Sequence, residues 1–157
     1  MNAHRPWRAG QKRQEGFSLV EVVIAIGVLA GVLLSICSMF ILGARELKGG
    51  KTMTEATAIG HDIMETFSKL SYNALYTTFG ATDTSTFVTI NTSTGTNPIT
   101  PWQAEVTRKL ANGVATATLV PVGGANFGNG KGIKMMVVVS WNELGRAQSV
   151  SLATVRF

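Results

Sequence analysis

The chain has 157 residues, 14 Lys/Arg against 9 Asp/Glu, a net charge of +5, and a single cysteine, Cys37. This length allows one domain plus an anchor, and the lone cysteine excludes an intramolecular disulfide framework. The positive charge is concentrated at one end: Arg5, Arg8, Lys12 and Arg13 precede residue 17, and residues 17–157 carry ten bases and eight acids, a net +2. With no dense basic run beyond the first residues, nucleic acid is not an expected partner.

The N-terminal basic segment ends at Gly16-Phe17-Ser18-Leu19-Val20-Glu21. From Phe17 to Ala44 the chain is apolar, and Glu21 is its only charge. A helix of that length spans roughly 42 Å, more than the ~30 Å hydrocarbon core of a bilayer. The run is too long for a cleaved secretory signal, whose apolar part covers about 7 to 15 residues. A carboxylate in such a span is costly in lipid and demands a partner or a role. The four preceding bases predict a cytoplasmic N-terminus and an exported remainder. Gly27 and Gly31 form a G-x-x-x-G spacing within the span, suited to close helix contact. Cys37 reads as a small lipid- or helix-facing residue.

Gly49-Gly50 predicts a bend after the span. Helical spacing resumes with Met53, Ala56, Ile59, Ile63, Phe67 and Leu70, predicting an amphipathic helix from about Thr52 to Leu75. Half of the 24 residues from Thr77 to Thr100 are Thr or Ser, which predicts a long loop with one short strand at Phe87–Ile90. Asn91-Thr92-Ser93 matches a glycosylation pattern that carries little weight alone. Trp102–Arg108 alternates in part, Asn112-Gly113 is a hairpin signal, and Val114–Val120 follows, so the flanking pieces are expected to pair. Glycines 123, 124, 128, 130 and 132 predict a flexible connection. Ile133–Trp141 and Ala147–Phe157, separated by a turn at Gly145, read as strands. The expected class is α+β, a long helix laid on an antiparallel sheet of about four strands.

Catalytic chemistry finds little support. His61, Asp62 and Asp83 form no nucleophile–base set, and no three or four residues have metal-ligand spacing. The phosphate-loop pattern fails because Ala125 stands where a glycine is needed before Gly130-Lys131. Lys131 and Lys134, or Arg108 and Lys109, read as solvated surface. We expect no enzyme, no cofactor and no metal.

Gly16, Phe17 and Glu21, followed by the long apolar run, resemble the type IV prepilin processing signal of the pilin and pseudopilin family. The resemblance implies that a prepilin peptidase cuts the Gly16–Phe17 bond and methylates the new amine of Phe17. It implies residues 1–16 as leader, 17–44 as transmembrane and assembly helix, and 45–157 as an exported pilin-like domain. Glu21 would be the assembly residue, pairing with the Phe17 amine of a neighbouring chain. The implied partners are prepilin peptidase, other major and minor pilins, and inner-membrane lipid before assembly. The implied location is the bacterial inner membrane, with the domain periplasmic, and then a pilus or pseudopilus. The segments Val137–Trp141, Gly145-Arg146 and Ser149–Leu152 look like minor pilins of the PilV type. The 16-residue leader, the lack of a mid-span proline near Ser38 and the missing C-terminal disulfide favour a minor subunit. A minor pseudopilin of type II secretion is the alternative, and a membrane-anchored adhesion or DNA-uptake module is an alternative of another class.

Overall fold

The computed structural model describes residues 16–157, so the basic segment and the rest of the expected leader lie outside the described residues. Contacts divide the chain into two units, Met1–Ala44 and Arg45–Phe157. One helix, α1 (Leu19–Ser68), begins in the first and ends in the second.

In the first unit the helix is bare. Its side chains from Leu19 to Ala44 are all exposed, Leu34 and Phe40 by 70% and 74%. Among the described residues, α1 is the one helix long and apolar enough to cross a membrane. The hydroxyls within this stretch are satisfied locally, Ser35 donating to the Gly31 carbonyl and Ser38 to the Leu34 carbonyl, each at 2.9 Å. They add little polar surface of their own.

In the second unit α1 becomes amphipathic. Ala56, Ile59, Gly60, Ile63 and Phe67 are buried on one stripe, the spacing that the sequence pattern predicts. Met53 stays largely exposed and Leu70 only partly buried. Gly49 and Gly50 do not interrupt the helix, contrary to expectation. Thr52 lies 3.0 Å from both the Gly49 carbonyl and the Glu143 carboxylate and ties this turn to the sheet.

The helix also ends earlier than expected, at Ser68, and a separate helix α2 (Tyr72–Thr78) follows. Ser71 is the reason: its hydroxyl accepts the Ala74 amide and caps α2. The Arg156 guanidinium donates to the carbonyls of Ser68 and Leu70, which the break leaves without helical partners.

Four strands form one antiparallel sheet in the order β1 (Val88–Asn91), β2 (Val114–Val122), β3 (Gly132–Glu143) and β4 (Arg146–Arg156). The α+β class and the strand number agree with the sequence reading, but one strand differs. Thr100–Trp102 is a 3-10 turn, and Gln103–Lys109 is helix α3. The partial alternation there hides a helical pair, Val106 and Leu110, both fully buried, and the i,i+4 ion pair Glu105–Lys109 at 2.6 Å. Asn112-Gly113 is therefore the turn from α3 into β2 rather than a hairpin, with Asn112 at φ 52°. β2 pairs instead with the short strand β1 and with β3.

One face of the sheet supplies the core. Ala115, Ala117 and Leu119 of β2 and Ile133, Met135, Val137, Val139 and Trp141 of β3 cluster with the buried stripe of α1 and with Leu75, Tyr76 and Val106. The glycine-rich connection is not simply flexible. Phe127 at its centre is buried and stacked on Tyr76, with ring centroids 5.0 Å apart. The Phe127 and Gly128 amides donate to the carbonyls of Ser85 and Asp83, and the Tyr72 hydroxyl to the Phe127 carbonyl. Asn91, the candidate glycosylation residue, uses its side-chain oxygen to hold Ser93 and Thr94 in a local turn.

Candidate functional site

Gly16, Phe17 and Ser18 precede α1 without regular structure, and the helix starts at Leu19. Phe17 is 81% exposed, and a Cβ on Gly16 would meet nothing within 4 Å. The Gly16–Phe17 junction is thus uncovered among the described residues. Ser18 starts the helix. Its carbonyl accepts the Val22 amide at 3.2 Å, and its hydroxyl lies 3.4 Å from the Glu21 amide.

Ser18 and Glu21 therefore stand in the S-x-x-E spacing of a helix capping box. The S-x-x-E spacing is legible in the sequence at the start of the apolar run, beside the stronger membrane signal. The structure makes half of the box. The Glu21 backbone is capped, whereas its carboxylate has no hydrogen bond or ion pair among the described residues. The helix N-terminus favours a negative charge in this turn, by about 0.3–1 kcal/mol when exposed. The three expected site residues are thus brought together within one turn of the helix start. Of these three, Glu21 is the one whose side chain carries a charge without a partner among the described residues.

Several other polar groups are engaged in structure. Trp102 Nε1 donates to the Asp62 carboxylate and pins the 3-10 turn to α1. The Tyr76 hydroxyl donates to Asp83, and this bond, followed by burial, raises the Tyr76 pKa above its ordinary 10.0. Burial, then the nearby Asp83 charge, raises that of Tyr72. His61 is exposed on α1. No three His, Cys, Asp or Glu residues gather into a metal-binding group among the described residues. A cavity of about 400 Å³ is lined in part by Lys48, Arg108, Lys109 and Glu143, but Glu105 holds Lys109 and Thr52 holds Glu143.

No family model, curated protein or solved structure matches the chain.

Proposed function

We propose that this chain is a minor type IV pilin-like subunit, cleaved between Gly16 and Phe17, methylated on Phe17 and assembled through the exposed half of α1. The observation that carries the reading is Glu21: a carboxylate without a partner among the described residues, in the first turn of a bare apolar helix, four residues beyond a Gly-Phe junction uncovered among them. Cleavage there creates an amine on Phe17. In a stack of helices the amine of one chain meets Glu21 of the next, in a medium of low dielectric where an isolated charge is expensive. The pair forms only between chains, so it favours assembly and sets register. The packed α+β unit beyond Arg45 supports the reading as the exported domain carried by that helix.

N-terminal sequencing of the membrane-purified protein, made in a host with active prepilin peptidase, tests the reading. A chain beginning at a methylated Phe17 is expected. A mature N-terminus elsewhere, or an uncleaved chain, refutes it.

A further inference from the structure

The sheet has two edges of different character. β1 forms one and is four residues long. β4 forms the other, with 11 residues paired to β3 in unbroken register. It has no strand on its far side among the described residues. β4 contains no proline, and from Ala147 to Val155 it carries no charge. Natural sheets usually blunt a long edge with charge, proline, a bulge or a cover, because open backbone groups invite another strand.

A groove runs beside this edge on the helix side. Met53, Ala58, His61 and Met64 of α1 form one wall, Leu152 and Thr154 of β4 the other. It consists of two largely apolar depressions of about 500 and 440 Å³ that share His61 and Leu152. The groove supplies what an open edge lacks. In strand addition, backbone hydrogen bonds give affinity, and pockets for alternate side chains give selectivity. We infer that β4 receives an extended strand from a different polypeptide, apolar at alternate positions and acidic at the end that meets Arg146.

Charge selects this occupant over a second copy. Antiparallel self-pairing centred on Ser151 sets Arg146 opposite Arg156 at both ends, and directly opposed like charges destabilise a sheet. Arg156 is already bound to the carbonyls of Ser68 and Leu70. Arg146 is exposed and belongs to no ion pair among the described residues. An acid opposite Arg146 gives that charge a partner. Residues of the added strand opposite Val150, Leu152 and Thr154 share their side of the sheet and so face the groove. The inference goes beyond the pilin reading and holds whether or not Gly16 is cleaved.

The full chain in detergent micelles is titrated into a fluorescent eleven-residue peptide. The peptide carries valine opposite Val150, Leu152 and Thr154, threonine between them, and glutamate opposite Arg146. Saturable binding is expected, with slowed amide exchange across 147–155. Methylating every second peptide amide abolishes binding in one set and spares it in the other, because only alternate amides of an added strand point at β4. Lysine in place of the glutamate weakens binding about threefold. Ala58→Arg, which fills the groove from an exposed helix position, weakens it at least about tenfold, on the scale of a buried like-sized obstruction. The inference is overturned by absence of saturable binding, by equal effects of the two methylated sets, or by protection of 147–155 that grows with protein concentration when no peptide is present.

Discussion

Substituting Glu21 separates two roles that share one residue. The first is local: the carboxylate sits in the first turn of α1, where the helix dipole favours it by about 0.3–1 kcal/mol. The capping bond itself survives Glu21→Ala, because Ser18 accepts from the Glu21 backbone amide. The second role exists only between chains. If Glu21 pairs with a Phe17 amine in a helix core, removing one partner leaves an uncompensated charge at a cost of ~3–5 kcal/mol. That corresponds to a loss of roughly 150- to 4,000-fold in the equilibrium for adding the subunit. Glu21→Gln keeps the side chain's shape and should fail nearly as badly. Ser18→Ala loses the cap, about 1 kcal/mol, but keeps the charge, and should assemble. The assay compares the subunit in sheared fibres with the subunit in the membrane, by quantitative immunoblot. Glu21→Ala should keep its membrane level while the fibre fraction collapses. Incorporation near the wild-type level, or parallel losses from membrane and fibre, would refute the pairing argument.

Three further outcomes follow from the domain beyond Arg45. Leu144 holds φ 50° beside Gly145 at φ 78° in the two-residue β3–β4 turn, a conformation that costs an ordinary residue about 1–2 kcal/mol. Leu144→Asn should therefore raise Tm by several degrees in thermal unfolding. Gly132→Ala would place a Cβ 2.5 Å from the Arg156 carbonyl, where the strand backbone must yield. Unfolding in urea should show a loss of about 1–3 kcal/mol. The raised Tyr76 pKa stabilises the fold below the unfolded value near 10.0, and that contribution is lost as pH rises through the folded value. Stability should fall above about pH 10, and Tyr76→Phe should flatten this alkaline limb in a pH series of thermal melts.

The parts legible in the sequence are those governed by one dominant period. The stripe Ala56, Ile59, Ile63, Phe67 reports a helix with one buried face, and Met135, Val137, Val139, Trp141 reports a strand with one. Where two periods overlap, pattern alone cannot choose. Trp102 to Leu110 alternates weakly yet also places Val106 and Leu110 four apart, and burial of that pair decides for α3. The break after Ser68 has a local half, the Ser71 cap, and a distant one: the guanidinium that takes up the freed Ser68 carbonyl belongs to Arg156, 88 residues away, outside any local window. Phe127 looks like a loop residue because glycines surround it, and its burial requires Tyr72, Tyr76 and Asp83 to converge. At the candidate site Glu21 stands out in the sequence as a charge in an apolar run and the Ser18-x-x-Glu21 spacing is there too, but whether the Ser18 hydroxyl caps the helix depends on where α1 starts.

The self-satisfied hydroxyls of Ser35 and Ser38 have a consequence for recognition. Each spends its proton on its own helix, so from Val22 to Ala44 the surface offers neighbours shape but no polar address. Two such helices can slide past one another by a turn and exchange one set of dispersion contacts for another of similar strength. The small residues Gly27 and Gly31 and the carboxylate of Glu21 are the marks that distinguish one axial offset from the next. In the fibre proposed above, such a surface would let subunits slip under load, and the Glu21 pairing would restore the resting spacing.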